Sequence, residues 1–194
     1  MGAEQLGKSR LLNLLFKPAG ATMESRLRRW LMPPEKTLRG AGLKPGQTVL
    51  EVGSGTGFFT LAAAEMIGPS GHLIAIEPLA DYAARVTQKV RAAGLTNVEV
   101  LCRDALDTGL DAASIDTALL FGVIPFPSLP LDRLLPEMHR VLKPDGSLAV
   151  WLFPTTAGVP TAILRSGLFT GLSKKHGVYA FERCEAPGGS ASLK

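Results

Sequence analysis

The sequence predicts an α/β fold built on a mostly parallel sheet, and three observations lead to this prediction. Short apolar runs with the length of buried strands alternate with helical patterns along the chain. Glycines cluster at the junction between the first such strand and the helix after it. Two extended runs near the C-terminus flank a short polar turn, which indicates a β-hairpin. The length of 194 residues and the apolar fraction of 46% suit one domain with a single core.

The first strand and the turn after it are the most informative part of the chain. The apolar run Val49–Val52 includes an acidic residue, Glu51, and leads into Gly53, Gly55 and Gly57. Glycines at a strand-to-helix turn let the backbone approach a ligand closely and adopt dihedral angles barred to other residues. The turn therefore predicts a site where a nucleotide-like molecule lies against the main chain.

The second strand, Leu73–Ile76, ends in Glu77 and Pro78. A carboxylate at this place can accept two hydrogen bonds, which suits both ribose hydroxyls of an adenosine. A helix is then expected over Leu79–Ala93, because Gly94 stands in the usual position after a helix C-terminus.

The remaining strands continue the alternation and end in the hairpin. The third strand leads to Asp104 and Ala105, and the fourth leads to Gly122. The expected bounds are Val98–Leu101 for the third strand, Ile115–Phe121 for the fourth, Ser147–Phe153 for the fifth, Pro160–Ser166 for a short helix, and Leu168–Ser173 and Val178–Cys184 for the hairpin.

The G-x-G-x-G spacing, with Glu51 two residues before the first glycine, resembles motif I of the class I S-adenosylmethionine (SAM)-dependent methyltransferases. The dinucleotide fingerprint G-x-G-x-x-G does not fit, because Phe58 stands where its third glycine would be. The resemblance covers roughly residues 41–184. Within it, Met138–Leu148 looks like the helix, turn and strand found at this place in small-molecule and quinone-type members. It implies a Rossmann-like class I methyltransferase fold, with a seven-stranded, mostly parallel sheet, an antiparallel C-terminal hairpin strand and helices on both faces.

The resemblance also implies SAM as the cofactor, S-adenosylhomocysteine (SAH) as its product, and no metal. In this family the glycine turn approaches the methionine part of SAM, and Glu51 orients its ammonium group directly or through water. The acidic residue after the second strand takes the ribose. The acidic residue after the third strand and the next backbone amide take the adenine. These assignments define the predicted cofactor site, whose members are Glu51, Gly53, Ser54, Gly55, Thr56, Gly57, Glu77, Pro78, Asp104, Ala105, Phe121 and Gly122.

No general base stands out, so the catalytic residue stays unassigned. His72, His139 and His176 each suit a structural or solvated position better than a catalytic one. The sulfonium of SAM already activates its methyl group, so in-line displacement needs mainly proximity and orientation of the acceptor. These effects can lower a barrier by roughly 7–11 kcal/mol.

The loop after the fourth strand, residues 121–127, bears on the choice of acceptor. It lacks the Asn/Asp-Pro-Pro-Tyr-like motif of enzymes that methylate planar amino groups, and neither Cys102 nor Cys184 follows a proline, as a cytosine-C5 nucleophile would. The loop is apolar and stiffened by prolines, so it forms either a wall for a small-molecule or lipid-like acceptor or an ordinary packing element. Pocket-forming insertions are scant. Either the acceptor is small, or another subunit (as in a homodimer) or another surface completes the site.

Basic charge is concentrated near the N-terminus. Residues 1–48 carry nine basic and three acidic residues, although the net charge of the whole chain is only +4. We divide the chain into a basic helical segment (1–40), a SAM-binding domain (41–186) and a flexible tail (187–194). Three interpretations of the basic segment stay open: packing on the sheet, a lid over SAM, or contact with anionic lipid. Nucleic acid ranks below lipid as a partner, because no nucleic-acid-binding module accompanies the charge.

Two classes of function follow from these patterns. The first is an active methyltransferase, and the second is a SAM-binding scaffold or regulatory subunit without catalysis. A nicotinamide-dependent oxidoreductase is the weakest alternative, because of Phe58 and the terminal hairpin. Two isolated cysteines and the lack of an apolar run of about eighteen residues predict a protein of the reducing cytoplasm, with peripheral membrane contact as an open alternative.

Overall fold

The computed structural model describes residues 33–125, 127–152 and 158–185. The predictions for residues 1–32, which include the lid and the lipid contact, lie outside this part of the chain, as does the tail. Helix α1 (Pro34–Gly40) belongs to the part of the basic N-terminal segment that the structure describes. It begins directly after Pro33, and Pro34 in its first turn suits the start of a helix.

The described chain alternates strands and helices in the predicted order. After α1 the elements are β1 (Thr48–Val52), α2 (Thr60–Ile67), β2 (His72–Ile76), α3 (Ala80–Ala92), β3 (Val98–Leu101), β4 (Ile115–Phe121), α4 (Leu131–Val141), β5 (Leu142–Trp151), α5 (Val159–Arg165), β6 (Phe169–Lys175) and β7 (Val178–Arg183). The strand order across the sheet is β3-β2-β1-β4-β5-β7-β6. Strands β1 to β5 pair in parallel, and β7 is antiparallel to both of its neighbours. The predicted seven-stranded sheet with an antiparallel C-terminal hairpin strand is confirmed.

Hydrophobic cores cover both faces of the sheet. Leu38 of α1 and Ile67 of α2 pack on one face, and Met138 of α4 and Ile163 of α5 pack on the other. Strands β1 and β4 lie between these layers, so their side chains are buried on both sides. This explains why most of their residues are apolar and why they do not alternate regularly with polar residues.

Several bounds differ from the sequence prediction by a residue, and two larger differences follow from strand pairing. The hairpin turn consists only of His176 and Gly177, because Lys175 still pairs with Val178. Both turn residues have positive φ (50° and 81°), as a two-residue hairpin of type I′ requires. Strand β5 begins earlier than expected, at Leu142, where it pairs with Ile115 before the register shifts.

Candidate cofactor site

The strand order reverses beside β1, and the predicted cofactor site lies at this reversal. The chain passes outward from β1 through β2 to β3 and then returns to place β4 on the other side of β1. In open α/β sheets, ligands bind at the carboxyl ends of the strands where such a reversal occurs. The glycine turn follows β1, Glu77 follows β2, Asp104 follows β3 and Gly122 follows β4. The fold therefore brings the predicted members to one edge of the sheet.

The glycine turn, residues 53–57, is held by backbone hydrogen bonds to β2. The N–H groups of Gly53 and Ser54 both donate to the carbonyl of Ile76, at 2.8 and 3.1 Å. All three glycines have positive φ, between 53° and 80°. A Cβ atom at Gly53 would lie 2.5 Å from Cγ1 of Val123, so a side chain at this position would force Val123 to move. The glycines are therefore favoured by the backbone conformation and, at Gly53, by the close approach of the loop after β4.

Two polar side chains in the turn have no partner among the described residues. The hydroxyl groups of Ser54 and Thr56 are buried, and neither makes a hydrogen bond to any residue that the structure describes. Buried polar atoms are normally paired, so unpaired hydroxyls need an explanation. A polar ligand in the turn would supply it. The residues present therefore fit a cofactor with hydrogen-bonding groups in its methionine part.

Glu77 joins the glycine turn to the start of α3. Its carboxylate is buried, accepts a hydrogen bond from the N–H of Gly55 at 2.8 Å and accepts another from the N–H of Leu79 at 3.1 Å. Burial raises the pKa of Glu77 above its usual value, and the two amide bonds oppose this rise. Each carboxylate oxygen has a second lone pair, so Glu77 can still accept hydrogen bonds from ribose hydroxyls.

Glu51 is more deeply buried and lies on the α2 side of β1. Its carboxylate accepts a hydrogen bond from the Thr60 hydroxyl at 2.6 Å. Burial raises the pKa of Glu51 to about 7. The Thr60 bond opposes this rise, and the nearby charge of Glu77 adds to it. Both carboxyl groups thus titrate in an environment that resists negative charge, and a cationic ligand would relieve that penalty.

The raised pKa of Glu51 predicts that stability falls as the pH rises. Between the unfolded pKa of 4.5 and the folded value of about 7, the folded state keeps a proton that the unfolded state releases. The free energy of unfolding should therefore fall across this window by as much as about 1.4 kcal/mol per pH unit from this group. Glu51→Gln should lack this contribution, because the amide does not ionise and its oxygen can still accept from Thr60. Urea unfolding of both proteins from pH 4.5 to 8 measures the difference. Parallel pH profiles would contradict the prediction.

The segment after β3 presents an acidic side chain and a free amide next to each other. Oδ1 of Asp104 accepts a hydrogen bond from the N–H of Leu106 at 3.0 Å, which fixes the carboxylate and leaves its second oxygen available. The N–H of the buried Ala105 makes no hydrogen bond to another described residue. A carboxylate oxygen and a neighbouring backbone N–H are the acceptor and the donor that the amino group and a ring nitrogen of an adenine would need.

Aromatic rings pack at the ends of β4 and β5, beside the glycine turn. The ring of Phe59 lies 5.0 Å from that of Phe121 and 5.8 Å from that of Trp151, centroid to centroid, and both contacts are edge-on. The Gly122 N–H donates to the Trp151 carbonyl at 2.9 Å, which holds the two strand ends together. The fourth-strand side of the glycine turn is therefore apolar.

Three residues beside the predicted members were not identified from the sequence. They are Thr60, which holds Glu51, Val123, which abuts Gly53, and Lys89, whose Nζ donates to the carbonyl of Thr56 at 2.8 Å. The hydroxyl of Thr60 in an otherwise apolar helix start was the one local signal. Lys89 and Val123 reach the turn from other elements, and sequence spacing does not reveal this.

The histidines make contacts away from the glycine turn. The Nε2 atom of His139 lies 2.9 Å from the carbonyl oxygen of Cys184, and His72 lies 3.5 Å from the carboxylate of Glu99. His72 begins β2 and so lies at the opposite edge of the sheet. Within the described ranges, no group of three or more His, Cys, Asp or Glu side chains could hold a metal ion. None of the described helices has the length and hydropathy that a membrane-spanning helix requires.

The fold and the site together define the class of SAM-dependent methyltransferases. Residues 49–146 match the methyltransferase domain family, and the chain belongs to this family. A solved SAM-dependent methyltransferase from Aquifex aeolicus superposes with a TM-score of 0.69 at 25% identity, covering 86% of this chain and 96% of that one. The predicted resemblance and the predicted Rossmann-like fold are confirmed.

Curated relatives name several acceptors. The chain is 33% identical to a protein-L-isoaspartate O-methyltransferase of Methanothermobacter thermautotrophicus over 54% of this chain and 48% of the relative. It is also 33% identical to the demethylmenaquinone methyltransferase of Listeria welshimeri, over 62% of this chain and 50% of the relative. The chain thus spans about half the length of the curated relatives it matches. The acceptors named for these relatives differ.

Proposed function

We propose that the chain transfers the methyl group of SAM to a small-molecule or lipid-like acceptor, bound beside the ends of β4 and β5. The observation that carries this proposal is the glycine turn itself. It combines a side-chain-free surface, two buried hydroxyls without partners among the described residues, and a carboxylate bonded to the turn at the reversal of the strand order.

The predicted members can hold SAM as follows. The methionine part lies against the glycine turn, where a Cβ atom at Gly55 would meet only the carbonyl oxygen of Gly53 among the described residues, at 3.9 Å. Glu77 accepts from the ribose hydroxyls. Asp104 and the N–H of Ala105 bind the adenine edge, and Phe121 and Gly122 line the other side. The chemistry needs no metal ion.

The apolar surroundings of β4 support a largely apolar acceptor. Phe121 and Ile124 are buried, Val123 is partly buried, and the neighbouring contacts are aromatic. One curated relative is named for protein L-isoaspartate and another for demethylmenaquinone. An apolar wall next to the reacting centre favours an acceptor of the second kind, because it offers little to a charged peptide.

Bound SAM supplies a methyl group already activated by its positive sulfur. The residues of this chain then have three tasks: to bind the cofactor, to align the acceptor nucleophile with the carbon–sulfur bond and to exclude water. The nucleophile's electron pair forms the new bond to carbon, the electrons of the old bond return to sulfur, and any proton on the nucleophile passes to solvent. Glu51 and Glu77 contribute negative charge near the cationic cofactor.

Incubation of the protein with tritium-labelled SAM and separate lipid and aqueous extracts tests this proposal. We expect label in the lipid extract or in its small apolar components, and calorimetry should show micromolar binding of SAM and SAH but none of NAD. Folded protein that does not bind SAM would contradict the proposal. Binding of SAM without transfer in either extract would support the non-catalytic scaffold instead.

A further inference from the structure

The connection between β3 and β4, residues 102–114, is described in full and contains neither a helix nor a strand, although it carries the two residues assigned to adenine. A segment without regular secondary structure needs other contacts to hold one conformation. Asp104 accepts two local hydrogen bonds: its side chain accepts from the N–H of Leu106, and its carbonyl accepts from the N–H of Asp107. Helix α4 supplies further anchors, through Glu137 and Arg140.

Glu137 of α4 holds the middle of this connection. One oxygen of its carboxylate, Oε1, accepts from both the N–H and the hydroxyl of Thr108, at 2.9 and 2.6 Å. Thr108 is fully buried, so its N–H and hydroxyl depend on these bonds. Glu137 thus fixes a backbone position four residues after Asp104.

Two arginines, Arg140 and Arg103, add further hydrogen bonds around Glu137 and Thr108. Arg140 donates to both carboxylate oxygens of Glu137 at 2.8 Å and to the carbonyl of Leu110 at 2.8 Å. Arg103, directly before Asp104, donates to the carbonyl of Thr108 at 2.8 Å. Hydrogen bonds from Arg140 are the main cause that lowers the pKa of Glu137 to about 2, so the Glu137 carboxylate stays ionised at neutral pH.

We propose that Glu137 is a positioning residue for adenine recognition, acting through Thr108 on Asp104 and Ala105. Glu137 itself does not touch the cofactor. The proposal rests on the assignment of SAM to this site. It requires that loss of Glu137 weaken the contacts of the adenine edge and leave those of the ribose and methionine parts largely intact.

The test compares two ligands in calorimetry with the full chain. One is SAH, and the other is S-inosylhomocysteine, in which oxygen replaces the adenine amino group and the ring nitrogen carries a proton. The second ligand cannot make either adenine contact, even with the wild-type protein. We expect Glu137→Ala to weaken SAH by about tenfold and S-inosylhomocysteine by less than about threefold. Glu137→Gln keeps an oxygen for Thr108 and should restore most of the SAH affinity.

Asp116→Ala is the matched control. Asp116 also accepts from a backbone N–H (Thr48, 2.7 Å) and from a basic side chain (Lys143, 2.8 Å), but it lies near the start of β4, at the opposite edge of the sheet. This variant should lower the melting temperature and leave the ratio of the two affinities unchanged.

Equal losses for both ligands in Glu137→Ala, or unchanged SAH affinity, would overturn the positioning role. If that variant does not fold, Thr108→Val keeps the N–H bond to Glu137 but removes the hydroxyl contacts with Glu137, Leu110 and Arg140. This variant should reduce SAH affinity selectively by about threefold. Wild-type protein that binds neither ligand would overturn the proposed function, and this inference with it.

Discussion

Gly55→Asp is expected to weaken SAM binding by at least about a hundredfold while the chain stays folded. Gly55 has a φ of 53°, which aspartate tolerates better than most residues, and its Cβ direction faces open space at the proposed position of the methionine part. The new side chain would occupy that space. Its charge would also lie close to Glu77, whose carboxylate is 2.8 Å from the Gly55 N–H. Calorimetry with SAM and SAH measures the loss, and thermal unfolding checks the fold.

Gly94→Asp provides the control for this experiment. Gly94 also has positive φ (67°), and no atom of the described residues lies within 4 Å of the place that a Cβ atom would take, but Gly94 follows α3 and is exposed. The same substitution there should change stability slightly and leave SAM affinity unaltered. If Gly55→Asp bound SAM as tightly as Gly94→Asp, the glycine turn would be a structural feature without a cofactor.

Glu77→Ala is expected to reduce SAM affinity by about a hundredfold as well. The substitution removes the proposed ribose acceptor and leaves the N–H groups of Gly55 and Leu79 without their partner. Glu77→Gln keeps one oxygen and should lose less, about tenfold. Calorimetry with SAH and with an analogue that lacks the ribose hydroxyls separates the two causes. The analogue cannot form the ribose bonds in either protein. The affinity that Glu77→Ala loses for SAH but not for the analogue is therefore the contribution of the ribose.

Glu99→Ala serves as the control for Glu77. Glu99 lies on β3, is half-exposed and contacts His72 at the far edge of the sheet. It should leave affinity unchanged. Binding of SAM by Glu77→Ala within about threefold of the wild type would remove Glu77 from the ribose assignment.

Most of the fold was predictable because its signals are local in the sequence. Strands β3 and β4 match the predicted bounds, since each is rich in apolar and β-branched residues and ends at polar or glycine residues. The turn after β1 was predictable because positive φ selects glycine at three of its positions, Gly53, Gly55 and Gly57. The hairpin turn was less accurate, because residue type does not reveal where pairing stops and Lys174 and Lys175 suit a strand as well as a turn.

The supporting contacts of the site could not be predicted from the sequence. Lys89 reaches Thr56 across 33 residues, and Glu137 reaches Thr108 across 29. Such contacts depend on how helices are placed over the sheet, and local sequence patterns do not determine this placement. The loop after β4 was expected to be either an acceptor wall or an ordinary packing element. Its position beside Gly53, through Val123, became clear only when β1 and β4 were seen to be neighbours.

The two buried carboxyl groups have a consequence for the exchange of product for fresh cofactor. SAM carries one more positive charge than SAH. If SAM lies where we propose, Glu51 and Glu77 in their ionised forms attract the substrate more strongly than the product, because burial leaves their charge poorly screened. Methyl transfer removes the charge that they favour. The same burial that destabilises the folded chain above neutral pH would then help the enzyme to release SAH between turnovers.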